Sequence, residues 1–276
     1  MMLKQRLMTA AILIPLVVLA ILKLPTTVLQ YCIAAVVLLA AWEWFAIVGI
    51  RSVMQRSVSF IALITAAVCA KVYLSPDLLV LIGVAVWLLA TLVVVCFAHF
   101  SLPSSVSKVF SDKYFGIFIA ILVLIPFLFT STLLHQSSLL GPQQLLYVMV
   151  TVWLADSGGY FAGKRWGTQP LAKVISPNKT WQGVYGALVL VAVWAVIAFM
   201  LGINGELSLS TWIVLTMITA VLSIVGDLFE SLFKRSHQVK DSGNLLPGHG
   251  GILDRIDSLL AAVPAFVAGL LVLGTV

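Results

Sequence analysis

DLLVLIGVAVWLLATLVVVCFA, residues 77–98, carries one charge at its first position and then 21 residues without another. As a helix this stretch covers about 33 Å at 1.5 Å per residue, enough for the ~30 Å hydrocarbon core of a bilayer. Its Val and Ile lean towards strand in water. In lipid, however, every backbone N–H and C=O needs a partner within its own segment, and that selects the helix. Eight more apolar runs flank it, at 8–24, 26–50, 57–74, 114–134, 143–163, 184–203, 209–233 and 252–276. The ~10-residue alternating segments of a transmembrane barrel are not seen. The expected fold class is therefore all-α, a polytopic integral membrane protein of about nine transmembrane helices. About five of them fall in residues 1–135 and about four in residues 136–276, which also carry the two long connections, 164–183 and 234–251.

Composition agrees. The chain is 62% hydrophobic and 9% charged over 276 residues, against about 45–50% and about 25% for soluble domains. No appended soluble domain, repeat or low-complexity tract is visible. Lys4 and Arg6 precede the first run as in a signal peptide. The chain then passes into a second full span without a small-residue cleavage site, so a retained first helix is expected. Cys32, Cys69 and Cys96 lie inside apolar runs without metal or redox spacing and read as small apolar helix residues.

Orientation follows from the basic residues. The N-terminus and every second connection hold Lys4, Arg6, Arg51, Arg56, Lys108, Lys113, Lys164, Arg165, Lys173, Lys179, Lys234, Arg235, Lys240 and Arg255, 14 of 16, leaving Lys23 and Lys71 for the other side. By the positive-inside rule the N-terminus is cytoplasmic and the C-terminus outside.

Ionisable groups within spans are expensive and mark function by default. Asp156 lies eight residues before Lys164, and Asp227 seven before Lys234, so each is about 10–12 Å deep. Asp227 with Glu230, and Asp254 with Asp257, repeat at i,i+3 on one helix face. Lys173, Lys179, Lys234, Arg235, Lys240 and Arg255 surround them, and glycines cluster about His249 in LPGHGG, 246–251. Carboxylates for Mg²⁺, bases, and loop amides free to meet phosphate are what phosphoryl or nucleotidyl transfer needs. Each part has a plainer account. Lys234 and Arg235 can anchor a helix end, Asp227 and Glu230 can pair with loop bases, and His249 can be a turn residue. Glu43, between Trp42 and Trp44, reads as an interfacial ion-pair partner in an aromatic belt. Ser223 and Thr151 read as packing residues. A transporter of anionic metabolites would use similar parts, but it predicts polar residues continuing to the outer side and an internal repeat.

The segment 231–257, SLFKRSHQVKDSGNLLPGHGGILDRID, resembles the C-terminal signature of the phosphatidate cytidylyltransferases, or CDP-diacylglycerol synthases. The matching positions are Ser231, Lys234, Arg235, Lys240, Asp241, Pro247, His249, Gly250, Gly251, Asp254, Arg255 and Asp257. DSGGYFAGKRWG from Asp156 and SPNKTWQG from Ser176 are similar to the family as well. Gln182 stands where the family often has Glu, which weakens an acid/base role there. The resemblance covers about 100 residues strongly, and it favours this family over another CTP-dependent lipid enzyme such as a polyprenol kinase.

The resemblance implies transfer of CMP from CTP to phosphatidate, with Mg²⁺ and possibly a second cation, at a cytoplasmic-side site in a bacterial inner membrane. It implies Asp227 and Asp254 as metal ligands, with Asp257 or Asp156 next. Lys234, Arg235, Lys240 and Arg255 would neutralise phosphates. Asp156, Ser176, Asn178, Lys179, Asp241, His249, Gly250 and Gly251 would contact substrate. Implied partners are CTP, phosphatidate, the bilayer and a second copy as a homodimer, with no nucleic acid. No general base is required, because the attacking phosphate is already ionised near neutral pH.

Overall fold

The computed structural model describes residues 2–100, 103–243, 245 and 250–275. Among them the chain forms α1 (Met2–Lys23), α2 (Thr26–Ile47), α3 (Val53–Tyr73), α4 (Pro76–Phe97), a short α5 (Ser104–Phe110), α6 (Lys113–Gln136), α7 (Gly141–Trp166), β1 (Pro170–Ala172), β2 (Ser176–Thr180), α8 (Trp181–Met200), α9 (Leu209–Ser236) and α10 (Leu253–Val272). Starts are set locally. Ser52, Ser75, Asp112, Thr180 and Ser208 each accept a hydrogen bond from the amide three residues on, satisfying donors that a helix N-terminus leaves open.

Eight helices, α2 to α4 and α6 to α10, are long and apolar enough to cross a membrane. The ninth expected span, α1, has the length, but its apolar part among the described residues is the shorter Ala11–Lys23. The connection 164–183, expected as a loop, holds an antiparallel hairpin pairing Pro170 with Thr180 and Ala172 with Ser176.

The two ends of the bundle are tied differently. At one end the ring of His135 lies 2.8 Å from Thr26 Oγ1 and 2.8 Å from the Ile21 carbonyl oxygen, joining α1, α2 and α6. At the other end Val174 N–H donates to the Ala98 carbonyl at 3.2 Å, Arg235 Nε to the Ile175 carbonyl at 3.3 Å, and Ser111 Oγ to the Ser236 carbonyl at 3.3 Å. Connections rich in Lys and Arg therefore meet at one end.

Inside the bundle α10 is the most enclosed span and packs against α2, α4, α6, α7 and α9. Leu81, Leu88, Leu92 and Val95 of α4 and Val189 and Val193 of α8 stay exposed, as lipid-facing surface should. The α9–α10 crossing is close at Gly226, where a side-chain carbon would sit 2.6 Å from the Asp257 carbonyl oxygen. Any larger residue there would separate Asp227 from Asp257.

Candidate active site

Four polar residues of α9, Asp227, Glu230, Ser231 and Lys234, recur at helical spacing and share a face. The first turn of α10 brings Asp254 and Asp257 against that face, β2 brings Lys179, and α7 brings Asp156. The Lys179 ammonium pairs with Asp227 Oδ2, while Ser231 Oγ donates to Asp227 Oδ1 at 3.3 Å. Lys234 Nζ bridges Glu230 Oε2 at 2.7 Å and Asp254 Oδ1 at 2.8 Å, with its side chain 11% exposed. The other oxygen of Asp254 accepts the N–H groups of Ser242 and Gly251, both at 3.2 Å. Asp257 is buried and within electrostatic range of Asp227, Glu230 and Lys179. Asp156 is in range of Asp227, Lys179 and Arg255.

Asp156, Lys179, Asp227, Lys234, Asp254 and Asp257, spread over 102 positions by the difference between residues 156 and 257 counted inclusively, thus form one continuous polar patch. Other expected site residues lie around it. Lys240, Asp241, Arg255 and Asn178 are exposed, and Ser176 is half-buried at the start of β2. Arg235 is exposed and is held to the hairpin turn through Ile175. Gly250 and Gly251 sit directly before α10, and His249 lies outside the described residues. Gln182 staples the hairpin, its Oε1 accepting from Thr168 N–H at 3.2 Å and from Gln169 N–H at 3.3 Å.

Glu43 departs from its expected place. It is 2% exposed and makes no ion pair among the described residues; instead Oε2 accepts the N–H of Leu253 at 2.8 Å and Ser242 Oγ at 3.3 Å. Two tryptophans beside it had pointed to an interface. Yet Trp44 is itself buried, its Nε1 donating to the Gly116 carbonyl at 3.0 Å. One sequence signal did exist: Glu43 precedes Arg51 by the same eight residues that separate Asp156 from Lys164.

The donor chemistry fits a hard divalent cation. The acids supply only carboxylate oxygens, and Glu230 Oε1, buried close to Asp257, has no donor among the described residues. Among the described residues no three His, Cys, Asp or Glu side chains are close enough to cage a metal unaided. Mg²⁺ usually takes one or two carboxylates and completes its shell with water and substrate phosphates.

A helix bundle of this length and apolarity, with carboxylates and bases gathered at one end, defines an integral membrane protein with a charged site suited to phosphates. The chain belongs to the cytidylyltransferase family, whose model matches residues 4–273. It is 40% identical over 270 residues to a phosphatidate cytidylyltransferase of Pseudomonas aeruginosa, covering 97% of this chain and 96% of that one. A phosphatidate cytidylyltransferase of Haemophilus influenzae is 35% identical over 293 residues, covering 96% and 97%. One from Bacillus subtilis is 45% identical over 124 residues, 45% of this chain and 46% of that one.

Proposed function

We propose that this protein transfers CMP from CTP to phosphatidate, giving CDP-diacylglycerol and pyrophosphate. The observation that carries this reading is the Lys234 bridge. It joins α9 to α10 at the point where the signature loop returns, so the loop amides, the bases and the carboxylates share one site. A phosphatidate phosphate oxygen bonds to the α-phosphorus of CTP as the bond from that phosphorus to the β-phosphate bridging oxygen breaks, and pyrophosphate leaves. Substrates bring at least about six negative charges together, so cation supply dominates the barrier. Lys179, Lys234, Arg235, Lys240 and Arg255 meet those charges. The backbone at Gly250 and Gly251 approaches the nucleotide. Ser176, Asn178, Asp241 and His249 complete the substrate contacts.

Mg²⁺ would be held by Asp227 and Asp254, with Asp257 or Asp156 next, and a second cation is compatible with the remaining carboxylates. When bound it neutralises phosphate oxygens and orients the reacting phosphates. Asp254, engaged by Lys234 and two loop amides, and Asp227, paired with Lys179, would be its ligands, and Lys179 and Lys234 stand beside them as cations for phosphate.

The split of basic residues supports a cytoplasmic site and N-terminus and an outer C-terminus. Bacterial relatives support the inner membrane, and the family resemblance supports a homodimer. Phosphatidate keeps its chains in lipid while its headgroup reaches a site about 10 Å below the border. Purified enzyme given labelled CTP, Mg²⁺ and phosphatidate should form lipid-linked CMP. Labelled polyprenol phosphate instead, or no lipid product, would overturn the reading. Asp227→Asn and Asp254→Asn, folded by thermal melting, should each lose at least about 100-fold in turnover, the scale of removing a transition-state electrostatic contact. Chelation should stop the reaction, and added Mg²⁺ restore it.

A further inference from the structure

We propose that Glu43 is a positioning residue for CTP binding: from α2, far from the signature in sequence, it holds the two described ends of the signature loop, Ser242–Gly243 and Gly251–Leu253, in register beside Asp254. This rests on the reading above, in which that loop meets the nucleotide phosphates.

The contact is specific on both sides. Glu43 Oε2 takes the N–H of Leu253, the first residue of α10, so its carboxylate complements the positive end of that helix. The same oxygen takes Ser242 Oγ. Ser242 N–H in turn donates to Asp254 Oδ2, as does Gly251 N–H. Glu43 and Asp254 therefore hold the same described ends of the loop, one from α2 and the other from α10. At Gly243 and Gly251 a side-chain carbon would overlap the Glu43 carboxylate, so only bare backbone lets the loop lie against it. Among the described residues Glu43 Oε1 is buried with no donor, a costly arrangement for a residue that only fills space.

The support beneath Glu43 is tied to two other helices. Trp44 fixes α2 to α6 through Gly116 and packs on Phe233 of α9 with ring centroids 5.2 Å apart. The position of α2 is thereby transmitted to the loop, where the Glu43 carboxylate meets Ser242, Gly243, Gly251 and Leu253.

The test uses the full-length enzyme in detergent or nanodiscs with Mg²⁺, and reads KM for CTP and for phosphatidate separately from kcat. Glu43→Ala should raise the CTP KM by about 10-fold or more, the scale of losing a charged acceptor, with the phosphatidate KM changed by less than about twofold. Glu43→Gln keeps an acceptor for Leu253 N–H and should recover most of the CTP KM. Ser242→Ala keeps the fold and should raise the CTP KM by about threefold, and its effect should shrink in the Glu43→Ala background because both act through one contact. If Glu43→Ala does not fold, Ser242→Ala and Glu43→Gln still decide the matter. An unchanged CTP KM in these variants, a Gln variant no better than a folded Ala variant, or additive effects with Ser242→Ala each overturn the proposal. Asp227→Asn separates the two claims. If it stays active, the site reading fails; if it is inactive while Glu43→Ala keeps the wild-type CTP KM, the Glu43 proposal alone fails.

Discussion

Lys234 makes two carboxylates tolerable in a site with little solvent. Its ammonium sits 2.7 Å from Glu230 and 2.8 Å from Asp254, and Glu230 is 3% exposed at its side chain. Removing one partner of a buried pair leaves an uncompensated charge and costs roughly 3–5 kcal/mol. Lys234→Met should therefore lower the melting temperature clearly and abolish turnover. Lys234→Arg should stay poor as well, because a planar fork does not replace a point charge reaching two separate acceptors. Most of these residues were legible in the sequence, since an acid inside an apolar span stands out against its cost. Their pairings were not. Nothing in the spacing says that Lys179 meets Asp227 or that Asp254 is engaged by Lys234 and two loop amides. Glu43 was misjudged because its donors lie 199 and 210 positions away, beyond any local pattern.

At the scale of elements, two close fits place the site. Gly226 lets α9 and α10 touch, so Gly226→Leu should force them apart, with overpacking of about 1–3 kcal/mol. It should lower activity more than stability, because the displaced groups are Asp227 and Asp257. The β1–β2 hairpin presents Lys179 at the end of β2. Strand side chains alternate between faces, so inserting one residue after Ser176 should turn Lys179 away from Asp227. That insertion should cost as much turnover as Lys179→Ala while barely changing the melting temperature. The helices could be read from apolar length alone. The hairpin could not: SPNKT, polar and carrying a proline, has weak strand character, and its pairing with residues 170–172 is stabilised by tertiary ties at Ala98 and Arg235.

Across the whole molecule, the alternation of basic and nearly uncharged connections matches the two ends of the bundle. A chain with Cys32, Cys69 and Cys96 replaced, and a single cysteine at either Glu206 or Lys240, tests the orientation directly. An impermeant maleimide added to intact spheroplasts should label position 206 and spare 240, and inverted vesicles should reverse the result. The contact between α2 and the start of α10 also sets an order in time. Glu43 enters the bilayer some 210 residues before Leu253 is made, about 10–40 s of synthesis at ordinary ribosomal rates. During that interval the carboxylate has neither of its donors, and a chain stopped after residue 240 should leave it open to carbodiimide where the complete chain protects it. The early helices thus wait with an unfilled bond, and the enzyme becomes competent only when its last helix arrives to close it.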